Sequence, residues 1–273
     1  MAVITFSREA HSGTQDLAHV LARRLGYRYV GRDELTEAVR ARSGIRREPQ
    51  TDESEGRSLS LWESLGEQLS GERETYVTAL KSVVTELALA DNVVIVGHGA
   101  GLFLNDMRSV VRVFVVAPMA DRLARLRAEG VEDPARGRSL IEQQDRESAA
   151  YLRYLFGVDW LDPHQWDLVI NTGRADPEAA LDMLMHYTQS LLRDEADHAD
   201  LERKQLVNRV EQALLEADLG VDKLGVYFTG DVLTLRGEAL TQLDRDRGEA
   251  LARSIVTDAT IDNQIVLRPP STA

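Results

Sequence analysis

An α/β fold with an open parallel sheet, followed by a small α+β unit, is what this chain predicts. Three observations carry that reading. The runs Val3–Phe6, Asn92–Val96 and Arg112–Val116 are rich in β-branched residues and apolar almost throughout, as in strands covered on both faces. Segments with helical spacing alternate with them, the pattern of a layered βα structure. Beyond residue 192 the order changes to helix, strand, strand, helix, strand.

Taken in order, Val3–Phe6 is a first strand that stops at small and polar residues. Asp16–Leu25 follows as a helix with Leu17, Val20, Leu21 and Leu25 on one side, closed by Gly26. Tyr27–Val30 is a short strand and Asp33–Arg42 a helix. Ser43–Ser60 is polar and poor in large apolar groups, and is expected to be a mobile excursion. Glu72–Ala90 is a long helix that buries Ala79, Leu80, Val83, Val84 and Leu87. Asn92–Val96 runs into Gly97-His98-Gly99-Ala100-Gly101, and Arg112–Val116 leads to the helix Asp121–Glu129. Asp167–Asn171 is the last strand of the sheet and Pro177–Leu192 its closing helix. The domain division expected is 1–192, a charged helical linker at 193–205, and a second domain at 206–268. In that second domain Leu206–Ala217 is a helix, Gly225–Phe228 and Val232–Arg236 are strands, Arg245–Ser254 is a helix and Ile265–Leu267 a strand.

Bulk properties exclude several classes. An excess of 45 acidic over 32 basic residues argues against nucleic-acid binding through a broad basic face, so an anionic ligand needs local arginines. Without cysteine there is no disulfide framework, thiolate metal site or cysteine nucleophile. No apolar run reaches the roughly 20 residues of a membrane span. The start lacks a signal-like segment, so a cytoplasmic protein is expected.

The first strand, turn and helix have the context of a phosphate loop, in which backbone N–H groups and a helix N-terminus meet phosphate oxygens. The pattern G-x-x-x-x-G-K-[ST] is only partly met. Gly13 fits, whereas Arg8 stands for the first glycine, Thr14 for the lysine and Gln15 for the hydroxyl residue. The alternative is an ordinary βα turn capped by Ser12.

Several segments together resemble the cytidylate kinase-like family, a branch of the P-loop nucleoside-monophosphate kinases. They are Ser7-Arg8-Glu9 with Ser12-Gly13, Tyr29–Leu35, Val94–Ala100, Val113–Pro118 with Arg122 and Arg125, Asp145–Tyr151 with Phe156–Trp160, and Asp167–Thr172. The resemblance spans roughly residues 1–190 and implies a P-loop kinase-like sheet with helices on both faces. It implies ATP and Mg²⁺ as cofactors, with ATP over Arg8, Ser12, Gly13, Thr14, Gln15 and Asp16 and no metal held by protein ligands alone. Arg8, Arg122 and Arg146 are the implied catalytic cations. Asp33, Gly97, His98, Arg125, Asp145 and Tyr151 are the implied acceptor-binding residues. Bidentate guanidinium–phosphate pairing is why arginines suit this chemistry. Three expected charges are missing, at Gln15, His98 and Ser148, and their loss should cripple turnover unless other arginines substitute.

Each candidate has a plain structural alternative. Arg8 could face solvent, Asp33 could cap its helix, and His98 could be a satisfied structural histidine. Arg122 and Arg125 could lie on a solvated helix face. Trp160 and Trp166 are expected to anchor the lid rather than stack a base. Val207–Leu267, with the hairpin Val226–Gly237 turning at Gly230-Asp231, resembles a BON domain, whose core would include Val226, Phe228, Val232 and Leu235. That implies a regulatory or oligomerising module. The expected function is phosphoryl transfer to CMP, dCMP or a related acceptor. A nucleotide-sensing regulator, or an interaction protein acting through the C-terminal domain, is the alternative.

Overall fold

The computed structural model describes residues 2–44, 70–191 and 195–268. The polar excursion expected beyond Ser43 therefore lies outside the described residues, apart from Gly44. Five strands form one parallel sheet: β1 (Val3–Arg8), β2 (Arg28–Val30), β3 (Val93–Val96), β4 (Val110–Val116) and β5 (Leu168–Asn171), in the order β2-β3-β1-β4-β5. The apolar runs end up where a double-sided burial requires them. Val93 and Ile95 face one layer while Val94 and Val96 face the other, and Val3 and Ile4 divide in the same way.

The first layer contains α2 (Arg32–Ser43), α3 (Ser70–Ala90) and α4 (Ala100–Phe103), whose Leu35, Val39, Leu80 and Val84 are almost wholly buried. The second contains α1 (Thr14–Leu25) and α7 (Pro177–Ser190), with Leu17, Leu21, Leu181 and Leu184 under the sheet. At the sheet's carboxyl edge, α5 (Met119–Ala128) and the long α6 (Pro134–Phe156) cross the end of β4. Phe114 holds the base of α6. Trp166 stacks on it with ring centroids 5.2 Å apart, Trp160 meets it edge-on, and the Trp166 indole N–H donates to the Trp160 carbonyl. Both tryptophans are buried, as the anchoring reading expects.

Three structural alternatives left open by the sequence differ from what is observed. Helix α1 starts at Thr14 with Gly13 as its N-cap, and no side chain caps it; the Ser12 hydroxyl pairs with that of Thr14 at 2.8 Å instead. Helix α2 starts at Arg32 after Gly31, which puts Asp33 inside the first turn rather than at the cap. Arg122 is buried and Arg125 half-buried, because α5 lays that face against the β1–α1 loop rather than toward water.

The second sheet has the order β6-β7-β8, from β6 (Val221–Thr229), β7 (Val232–Ala239) and β8 (Thr260–Leu267), with α9 (Gln242–Ile255) between the last two. β6 and β7 are an antiparallel hairpin turning at Gly230 (φ 60°), and β7 and β8 are parallel. Both edges of the hairpin run further than alternation suggests, because β6 continues past an irregularity between Asp222 and Gly225. Val226, Leu233, Leu235 and Ile265 form its core, with Val232 and Phe228 only half-buried. A single helix, α8 (Glu195–Glu216), runs through the point where the sequence suggests a linker giving way to a new helix.

Glu211 on α8 stands 3.6 Å from Lys81 of α3. Burial pushes its carboxyl up from the ordinary carboxylate range, against a smaller downward pull from Lys81. A folded value above the unfolded one means the fold holds that proton more tightly. The group's contribution is therefore fully present below about pH 4.3, the unperturbed carboxyl value, and is lost as pH rises through the folded value. Glu211→Gln cannot ionise, so it should melt higher than the parent at pH 7, with the gap closing toward pH 4. Paired thermal melts check this, and equal midpoints at pH 7 would contradict it.

Candidate functional site

The loop after β1 is held by carboxylates. Glu9 Oε2 accepts from the Ala117 N–H at 3.0 Å and lies 3.6 Å from Arg122 Nη1. The Ala10 N–H donates to Asp145 Oδ1 at 2.9 Å, bringing α6 onto the loop. Arg122 joins the two: its Nε donates to the Ala10 carbonyl at 2.7 Å and its Nη2 to Asp145 Oδ2. With 4 % of its surface exposed, Arg122 is engaged by these protein groups. Asp145 belongs to this brace as well.

The turn itself is left-handed at His11 (φ 55°) and at Gly13 (φ 81°). A Cβ on Gly13 would sit 3.1 Å from Arg125 Nε, so the missing side chain is what lets this guanidinium lie against the loop. Arg125 Nη1 donates to the His11 carbonyl at 3.2 Å and Nη2 to the Thr172 hydroxyl at 3.3 Å, while that hydroxyl donates to the Ser12 carbonyl. Arg125, expected at the acceptor, thus stands on the loop side. His11 Nδ1 lies 3.3 Å from Glu129 at the end of α5. Thr14 is buried, whereas Gln15 and Asp16 are exposed on the first turn of α1. The N–H groups of that turn have no intrahelical acceptor and no side-chain cap, which leaves them open to an anion.

On the other side of β1 lies a second group. Arg8 turns away from the loop, and its Nη1 lies 3.5 Å from where a Gly97 Cβ would be; the Arg32 stem lies 3.9 Å from the same point. Burial and the nearby Arg32 charge both push the Arg8 guanidinium below its ordinary range, with Tyr29 pulling weakly the other way. No ion pair joins it to a carboxylate among the described residues. The Tyr29 hydroxyl is raised chiefly by burial, lowered by Arg8, and raised further by Asp16 and Asp33, so these groups converge on one spot. His98 is half-buried at φ 54°, its Nε2 3.0 Å from the Thr36 hydroxyl and its ring edge-on to Tyr151 at 6.3 Å. Asp33 is exposed beside this group, and Arg146 is exposed on α6.

The structure thus gathers Arg8, Asp33, Gly97 and His98 on the β2–β3 side, with Tyr151 bordering His98. It gathers Ser12, Gly13, Thr14, Arg122, Arg125 and Asp145 around the loop. Glu9, Tyr29, Arg32, Thr36 and Thr172 were not singled out from sequence. Glu9, Tyr29, Arg32 and Thr172 nevertheless lie inside the segments that carried the family resemblance. Thr36 gave no signal.

A central parallel strand ending in a strand–turn–helix loop at the sheet's carboxyl edge, with helices on both faces, is the architecture of P-loop kinases. The chain belongs to the cytidylate kinase-like family, whose profile matches residues 3–174. It is 27% identical over 196 residues to the cytidylate kinase of Desulfurococcus amylolyticus, covering 71% of this chain and 96% of that protein. With the cytidylate kinase of Ignicoccus hospitalis the identity is 28% over 187 residues, covering 67% and 97%. An uncharacterized protein from Eubacterium ventriosum shares the fold at a TM-score of 0.53 and 19% identity, covering 70% of this chain and 99% of that one.

Proposed function

We propose that this chain transfers a phosphoryl group from ATP to a nucleoside monophosphate, CMP or dCMP by likeness to its relatives. The observation that carries the proposal is Arg8. A half-buried guanidinium beside a second guanidinium, with no carboxylate ion-paired to it among the described residues, is held at a cost that an arriving anion would relieve. A monophosphate is such an anion, and Arg8 and Arg32 supply bidentate donors for it.

The donor triphosphate would lie across Gly13 and the first turn of α1, against the Arg125 guanidinium. Gln15 and Asp16 present their exposed side chains there. A Mg²⁺ ion would be held mainly by phosphate oxygens and water, as is usual where it accompanies nucleotide phosphates, with Asp16 the carboxylate of that turn. The ion would supply charge neutralisation across the transferring phosphates. Glu9, Arg122 and Asp145 shape the loop, and Arg146 is an exposed cation next to Asp145 in the chain. The second unit's strand order supports its likeness to a BON domain, and we read it as a regulatory or oligomerising module within a cytoplasmic protein.

One observation favours the regulator as the rival reading. Arg122 is engaged by two carboxylates, so it does not replace the charges absent at Gln15, His98 and Ser148. Titration calorimetry with ATP–Mg²⁺ and each monophosphate, paired with a coupled ADP-release assay, separates the two. Binding with turnover is expected; binding without turnover would leave the regulator, and no binding at all would overturn both.

A further inference from the structure

Helix α8 serves two cores at once. Leu206, Val207, Val210 and Leu214 pack beneath the second sheet. Leu201, Lys204, Gln205, Asn208 and Glu211, spaced along another face of the same helix, meet the kinase-like unit instead. Leu201 is 1 % exposed inside the cluster formed by α2, α3 and β3. Asn208 Nδ2 donates to the buried Thr85 hydroxyl at 3.1 Å, and Gln205 Nε2 donates to Glu86 Oε1 at 2.9 Å. Lys204 pairs with Asp106 at 2.9 Å.

Glu86 has a second partner. Arg42, in the last turn of α2, donates from Nη1 to Oε1 at 2.6 Å and from Nη2 to Oε2 at 2.7 Å, and also reaches the Ser82 hydroxyl at 2.6 Å. Helix α2 carries Arg32 and Asp33 in its first turn and Thr36 against His98. Helix α3 leads into β3, which ends at Gly97. The two helices that flank the Arg8 group are therefore fastened to each other by Arg42 and Glu86, and α8 grips the same carboxylate.

We infer that Gln205 and Asn208 are positioning residues for acceptor binding, through which the C-terminal unit sets the placement of α2 against α3. The inference rests on reading Arg8 as the acceptor-phosphate site. Contiguous hydrogen bonds and packed side chains carry such coupling.

The test uses the full chain with Gln205→Glu, which places a carboxylate against Glu86, and Gln205→Lys, which offers Glu86 a cation. Gln205→Glu should speed hydrogen exchange across residues 32–43 and raise the monophosphate KM by at least about fivefold, the low end for linked sites, with ATP KM and kcat unchanged. Gln205→Lys should restore both readouts and confirm by its melt that the position tolerates replacement. Unchanged exchange, or faster exchange with an unchanged monophosphate KM, would overturn the inference. If exchange responds but neither parent nor variant binds a monophosphate, the clamp is real and the acceptor reading of Arg8 is what fails, taking the positioning role with it.

Discussion

Arg8→Ala is expected to abolish monophosphate binding while leaving ATP binding nearly intact. The loop motif alone suggests the opposite, since Arg8 occupies the place of the first glycine and its loss should empty the phosphate loop. The structure separates backbone from side chain. The Arg8 backbone ends β1 in register with Val115, but its guanidinium crosses to Gly97 and Arg32 on the β2–β3 side. At saturating ATP, turnover should fall by about 10²–10³, the effect of removing one donor aimed at a transferring group. The apo protein should melt no lower than the parent, because the deletion removes a half-buried charge that desolvation and Arg32 both disfavour. The stabilisation given by added monophosphate should disappear. Calorimetry with each nucleotide separately, together with melts with and without CMP, reads all of this. Lost ATP affinity with retained monophosphate affinity would place Arg8 back in the loop.

Two guanidinium groups side by side are a poor arrangement for stability and, on the proposed reading, a good one for phosphate capture. The cost is carried by the apo state and relieved on binding, which makes the site selective for ligands that bring negative charge to that spot. His98 contributes differently from an arginine there. Its hydrogen bond to Thr36 uses one ring nitrogen, whereas a guanidinium presents five N–H donors. On the proposed reading the departure at His98 reduces the number of donors, and Arg32, from the segment that resembles the family, stands close by.

The sheet was legible because its strands are buried on both faces and show as unbroken apolar runs. Val93–Val96 is of this kind, and in Val110–Val116 only Arg112 interrupts the apolar run. Helix starts were less legible, since they depend on backbone geometry: a left-handed Gly13 begins α1 where a capping Ser12 is the obvious reading. Site residues divide on the same line. Gly13 and Arg8 stand out by position, but the direction taken by Arg8 depends on Gly97, which a distant strand brings up. Asp145 reaches Ala10 across 135 residues of chain, so a motif indicates its presence without giving its partner. The face of α8 that meets α3 was hidden for another reason. Apart from Leu201 it works through polar side chains, and a polar stripe on a charged helix looks like solvent contact.

Replacing Arg122 by methionine is expected to give the largest loss of stability. The guanidinium joins the Glu9 and Asp145 carboxylates and the Ala10 carbonyl in one place, with its side chain 5 % exposed. Removing it leaves two like charges near each other, each about one-fifth exposed. Breaking a buried pair from one side costs about 3–5 kcal/mol, and the partial exposure of both carboxylates argues for the lower end. At about 3 kcal/mol, the melting midpoint of a chain this size should fall by roughly 6–12 °C. The functional signature should also mirror that of Arg8→Ala. The loop loses its shape, so ATP affinity drops, while the Arg8 group on the opposite side of β1 keeps its hold on a monophosphate. Adding Asp145→Asn to the methionine variant removes one stranded charge and retains an acceptor for the Ala10 N–H, so the double variant should recover part of the midpoint. A midpoint shift of less than a degree for the single variant would mean the carboxylates relax into water, and that the loop keeps its shape without this brace.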